Sequence, residues 1–201
     1  MSQLSEGRPV RGLRERKKAR TRATIQQHAV RLFLDRGYDA TTVEQVAAAA
    51  EVAPSTVFRY FPTKEDLVVS DEYDPLFITA FRTQPAELTP IQALRGALRE
   101  AFDDLPPEEL AAQRARVMLV LSVPALRGAS FGNLIETLRV VSDLVAERVG
   151  RGQDDLAVRA LTGAAFGVML EVMLRWVNDS DMNAPAALDE ALARLEAGLP
   201  L

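Results

Sequence analysis

The side chains that could do chemistry in this chain are mostly cations and hydroxyls. There is no cysteine, which removes a thiol nucleophile, a thiolate zinc site and a disulfide framework. A single histidine, His28, leaves no multi-histidine metal centre; it borders an apolar stripe, as an ordinary surface or half-buried residue would. No glycine-rich phosphate loop occurs. The carboxylates Asp71, Glu72 and Asp74 cluster, and they read as a solvated helix end in preference to a metal site. No catalytic residue, metal or cofactor is expected. What remains is a dense basic run, Arg14, Arg16, Lys17, Lys18, Arg20 and Arg22. Its chemistry is phosphate neutralisation, the sequence-independent source of much protein–DNA affinity.

The charge is unevenly distributed. The whole chain of 201 residues carries a net −4, which alone would argue against nucleic acid. Residues 1–64, however, hold 12 Lys and Arg against 6 Asp and Glu, a net +6, leaving −10 for the rest. A basic N-terminal module on an acidic body suits a DNA reader with a separate second domain. Apolar residues make up 48% of the chain, enough for a real core. No run approaches about eighteen uninterrupted apolar residues, so no membrane span is expected. The start of the chain lacks the apolar stretch of a secretory signal, and the cytoplasm is the default compartment.

The elements that must position this chemistry lie between Thr41 and Asp66. Thr41 with Glu44 fits a capping box, and Val43, Val46 and Ala47 recur at helical spacing. Glu51 and Val52 end that helix. Pro54 suits the first turn of the next one, where its missing N–H costs nothing. Ser55 to Phe61 is short and aromatic-rich, Pro62 stops it, and Thr63 with Asp66 caps a third helix. Helix, tight turn, helix is the arrangement whose second helix enters the DNA major groove. A preceding helix carries Ile25, Ala29, Leu32 and Phe33 on one face and ends near Gly37.

These residues resemble the DNA-binding domain of the TetR/AcrR family of regulators. The resemblance covers about Lys18 to Leu67 and rests on TTVEQVA, STVFRYF and the following Lys64-Glu65-Asp66-Leu67. It implies that Thr42, Tyr60 and Lys64 meet phosphates, which a hydroxyl, a phenol and an ammonium near helix N-termini can do. Lys18 and Arg22, from the basic run, are added to that phosphate set. Pro54, Ser55, Thr56 and Phe58 correspond to the base-facing surface, through hydroxyl hydrogen bonds and apolar contact with thymine methyls. Val57 is expected to pack inward and Arg59 to face solvent. Some family members place a base-reading arginine where this chain has Glu44. Here the glutamate either completes a cap or accepts from a cytosine amine, and a guanine contact is lost. The arm before Leu13 either enters a minor groove, adds affinity, or is a solvated tail.

The expected organisation is all-α: a disordered arm over 1–13, a helix-turn-helix domain over 14–66, and a helical ligand-binding and dimerisation domain over 67–201. The helix from Lys64 is expected to run to about Tyr73 and to break or kink at Asp74-Pro75. Later helices are expected over 90–102, 108–121, 130–149, 154–177 and 185–199, with Pro124 ending the second of them. Gly163 and Gly167 inside an apolar helix suggest close helix approach, since glycine there costs about 1 kcal/mol relative to alanine. The resemblance implies that the last two helices pair with their copies in a homodimer on a palindromic operator.

In the body, Phe81, Phe102, Met118, Phe131, Phe166, Leu170, Met173 and Trp176 could line an apolar cavity between the central helices; an ordinary packed core would use the same residues. The stretches RARVMLVLSVPALR and LEAGLPL are similar to mycofactocin-type regulators, which implies a small acyl-CoA-like effector. Arg114, Arg116 or Arg127 would then meet its carboxylate or phosphate. Repression relieved by effector is the mode that the family implies. The competing expectation is a helical protein-interaction module that has lost specific DNA binding.

Overall fold

The computed structural model describes residues 13–69, 74–102 and 105–200, and every element among them is helical. The chain divides into two compact units, the first ending at Val68 and the second beginning at Val69. That division falls two residues beyond the expected one because Leu67 and Val68 are fully buried. The arm before Leu13 lies outside the described residues, as do 70–73 with Asp71 and Glu72.

The first unit holds α1 (Leu13–Arg36), α2 (Val43–Ala49), α3 (Pro54–Tyr60) and all but the last residue of α4 (Asp66–Val69). Ile25, Ala29 and Phe33 of α1 are buried, as are Val46 and Ala47 of α2 and Val57 of α3. Gly37 ends α1 with φ of 89°, a left-handed conformation that favours glycine. The cap of α2 differs from the expected one by a single residue. Thr42, not Thr41, accepts from the Gln45 backbone N–H at 3.3 Å, and the Gln45 side chain accepts from the Thr42 N–H at 2.9 Å. Thr41 is fully buried and donates its hydroxyl to the Gly37 carbonyl at 2.9 Å, tying down the end of α1. The Thr63–Asp66 cap forms as expected.

The second unit runs α5 (Asp74–Thr83), α6 (Pro90–Phe102), α7 (Pro107–Ser122), α8 (Pro124–Val149), α9 (Leu156–Asn178) and α10 (Ala184–Glu196). Asp74 and Pro75 open α5. Thr89 and Gln92 form the capping box of α6. Pro124 does not leave a loop to Ser130: it takes the first helical position of α8, separated from α7 by Val123 alone, and the two helices meet at 109°. The core joins Phe81, Leu94 and Ala97 to Val145, Val158, Val172, Leu188 and Leu192. By length and composition α9 could cross a membrane, with a mean hydropathy of 1.6. It packs instead against α7, α8 and α10 on one side. A Cβ built at Gly163 or Gly167 meets nothing within 4 Å, so the close approach expected there does not occur within the protomer.

An ion-pair network ties α6 to α10. Arg95 grips both Asp189 oxygens at 2.9 and 3.0 Å, and Arg99 reaches the same carboxylate at 2.6 Å. The Arg95 hydrogen bond is the largest cause that pushes the Asp189 carboxyl down to about 2. A depressed carboxyl contributes stability above its unfolded value near 4 and loses it as pH falls through 2. Wild-type protein is therefore expected to lose about 2 kcal/mol more than Asp189→Asn between pH 5 and 2. Urea midpoints of both proteins across that range test this. Parallel acid curves would remove the network from the acid response.

Candidate DNA interface

The candidate recognition surface comprises the start of α2 and the outer face of α3. Val57 is fully buried and Phe61, the residue after α3, is too. That fixes the rotation of α3, so Pro54, Ser55, Phe58 and Arg59 face solvent and Thr56 is half-buried. Phe58 keeps 47% of its surface exposed, a cost for a large aromatic. Thr42 is exposed at the other edge.

The cations are less free than the sequence suggests. Lys64 is half-buried and donates from Nζ to the Tyr38 carbonyl at 2.6 Å, with its ammonium 4.2 Å from the Tyr38 ring centroid. Tyr38 in turn donates its phenol to Glu65 at 2.8 Å, and burial, ahead of that contact, pushes its pKa upward. An ammonium has three donors, so Lys64 keeps donors for a phosphate. Arg22 is half-buried and donates to the Tyr60 carbonyl. Tyr60 is half-buried, and the Arg59 guanidinium lies 5.3 Å from its ring centroid. Among the described side chains of the basic run, Lys18 and its neighbours Lys17 and Arg20 are plainly exposed. Glu44 takes no part in the capping box. Its own backbone N–H, and then the Thr42 hydroxyl, hold its carboxyl below the usual range, which leaves an ionised group beside Thr42. Val57 packs inward and Arg59 faces solvent, as expected. The Gln45 cap and the inward turn of Arg22 were missed, and only the second of two overlapping Thr-x-x-Glu/Gln patterns could have signalled the cap.

The residues expected to line an effector cavity differ widely in burial. Met118, Phe131 and Leu170 are 42%, 66% and 40% exposed. Phe81 is buried in the core, its ring 6.4 Å from that of Phe77. Phe166 and Met173 are half-buried along α9. Phe102 lies on a cleft of about 290 Å³ between α6 and α10, with Arg95, Arg99, Leu98 and Asp189. Helical spacing tells which residues share a face but not which faces meet. Arg114, an expected effector contact, donates instead to the Trp176 and Val177 carbonyls at 2.9 and 2.8 Å.

Comparison with known proteins fits this architecture. Residues 88–200 match the family model described as the MftR C-terminal domain, and residues 25–70 match that of bacterial regulatory proteins, tetR family. The HTH-type transcriptional regulator TcmR of Streptomyces glaucescens is 34% identical over 195 residues, covering 92% of this chain and 86% of the relative. A Mycobacterium tuberculosis regulator named MftR, for mycofactocin biosynthesis, is 28% identical over 195 residues, 92% of this chain and 96% of its own. Among solved structures, the transcriptional regulator FadR from Bacillus subtilis in complex with stearoyl-CoA aligns with a TM-score of 0.59 at 25% identity. It covers 89% of this chain and 99% of that one. A buried-backed recognition helix in the first unit and a helical second unit related to these regulators lead to one conclusion: the chain belongs to the TetR family and is a ligand-responsive, DNA-binding transcriptional regulator.

Proposed function

We propose that the protein is a homodimeric repressor that leaves a palindromic operator when a small apolar or acyl-CoA-like effector binds its second unit. The observation that carries the DNA half is the outward face of α3, held by buried Val57 and Phe61 with Ser55 and Phe58 exposed. Ser55 and Thr56 hydrogen-bond base edges, while Pro54 and Phe58 pack on thymine methyls. Thr42, Tyr60, Lys64 and Lys18 meet phosphates and set the register. The protein acts in the cytoplasm on DNA and effector and catalyses no reaction. The acyl effector is supported by the B. subtilis FadR structure, which holds stearoyl-CoA, and by the match of residues 88–200 to the MftR C-terminal domain. Effector acts by population shift: it favours a spacing of the two reading helices that does not fit successive major grooves. Half-sites about 34–36 Å apart, or a multiple, follow from the two-fold pairing.

A duplex from the protein's own upstream intergenic region tests the reading. Binding that is tighter than to random DNA is expected, with release by long-chain acyl-CoA. Lys64→Ala should weaken all sequences alike and lower the salt slope by about 1, whereas Ser55→Ala should weaken the operator alone. A genome-wide binding selection that returned no preferred sequence would sink the operator reading and favour a protein-interaction role.

A further inference from the structure

Arg22 leaves the basic run to serve another element. It sits on α1, yet its Nη1 donates to the carbonyl of Tyr60, 38 residues away, at 3.2 Å. Its guanidinium carbon lies 4.6 Å from the centroid of the Phe61 ring. Tyr60 is the last residue of α3 and Phe61 its C-cap. The contact therefore falls on one place, the C-terminal end of the recognition helix.

That end needs support. α3 has 7 residues, far below the dozen or so at which a helix holds itself in water. Its last carbonyls lack partners within the helix and carry the negative end of its dipole. No side chain caps its N-terminus, where Ala53 precedes Pro54. A guanidinium at the C-terminus satisfies a carbonyl, complements the dipole and stacks on the ring of Phe61, which is itself fully buried. The planar fork can do the two jobs at once, which a lysine ammonium cannot do equally well.

We infer that Arg22 is a positioning residue, the clamp that fixes the end of the recognition helix against α1, and that its contribution to DNA binding is orientation rather than phosphate neutralisation. The functional part rests on the DNA reading proposed above; the clamp itself is a property of the free protein. Phosphate contact from this run falls to the exposed Lys17, Lys18 and Arg20.

The test uses the full chain, with Arg22→Gln, Arg22→Lys and Lys18→Gln beside wild type. Backbone amide exchange without DNA comes first. In Arg22→Gln the Phe61 amide, which closes the last turn on Val57 at 2.8 Å, should exchange roughly tenfold faster than in wild type, the size of one lost charge-assisted hydrogen bond. The Val46 amide of α2 and the amide of its C-cap Ala50 should hold their rates, and Arg22→Lys should recover part of the protection. Exchange at Phe61 that does not change in Arg22→Gln overturns the clamp, whatever the DNA result. Binding across a salt series then separates the two roles. Arg22→Gln should lose about tenfold on the upstream duplex, keep its affinity for random DNA and keep the wild-type salt slope, whereas Lys18→Gln should lower that slope by about 0.9. Equal losses on both DNAs with a lower slope for Arg22→Gln would make Arg22 a phosphate ligand and overturn the inference. A wild-type protein without preference for any DNA would count against the proposed function alone. Should Arg22→Gln fail to fold, Arg22→Lys carries both readouts, with smaller changes in the same direction.

Discussion

Gly163→Leu is expected to yield a folded, monomeric protein that no longer holds its operator at concentrations where wild type is saturated. A side chain can start there without a clash in the protomer, because a Cβ finds no atom of another element within 4 Å, and the position is exposed. Replacing a mid-helix glycine should by itself stabilise α9 by up to about 1 kcal/mol. The buried side of the helix, through Val158, Thr162, Ala165 and Val172, is untouched. What Gly163 belongs to is the opposite stripe: Leu156, Ala160, Gly163, Gly167, Leu170 and Leu174, all exposed at alternating spacings of four and three residues. Leu156 alone leaves 81% of its surface in water. Large apolar ends around a small-residue centre suit two helices crossing closely at the glycines. A leucine at the crossing would force the helices apart. Losing the proposed dimer would turn linked half-site binding into two separate events, and linkage of this kind is worth about 10²–10⁴ in affinity. Sedimentation and operator titration of Gly163→Leu test both parts. A variant that stays dimeric and binds normally would place the two-fold axis on another face.

Much of the reader was legible in sequence because its signals are local. Pro54 at a helix start, Pro62 beyond its end and the Thr63–Asp66 pair each act within four residues, and the structure has them as expected. The missed cap shows the limit of local patterns. Thr41 and Thr42 each have a matching partner three residues on, Glu44 and Gln45, so the motif fits twice. The choice is made by a longer contact, in which the Thr41 hydroxyl is buried on the Gly37 carbonyl. Pro124 is ambiguous in the same way, since proline can follow one helix or open another. The arginines were least legible. Arg22, Arg114 and Arg148 each donate to backbone carbonyls 38 to 64 residues away. A carbonyl has no residue identity, so nothing in the partner's sequence marks it. The effector-facing residues are hard to place for a related reason: whether Phe131 meets another helix depends on the 109° turn at Val123, which no periodicity encodes.

Arg148→Met is expected to cost about 3 kcal/mol of stability in the second unit, near the top of the range for one side chain whose hydrogen bonds are charge-assisted. Its guanidinium serves the whole turn between α5 and α6. Nε and Nη2 donate to the Leu88 carbonyl at 3.2 Å each, Nη1 to Gln84 at 3.4 Å, and Nη2 also to Pro85. The group lies 5.7 Å from the centroid of buried Phe81. Methionine fills much of the space but leaves these carbonyls without their donor. The adjacent Arg82–Glu147 pair is a useful control, because both side chains are more than half exposed. Its loss in Arg82→Ala should cost well under about 1 kcal/mol. Arg148→Lys keeps the charge but offers a point donor in place of a fork, so it should recover less than half of the loss. Urea midpoints with unchanged slopes would report these differences as stability. A lysine variant as stable as wild type would show that charge alone holds the turn. A methionine variant losing less than about 1 kcal/mol would show that water replaces the guanidinium without difficulty. The second result would leave α5, the first helix of the second unit, held by its apolar packing on α6 and α8, with Phe81 and Leu94 in the shared core.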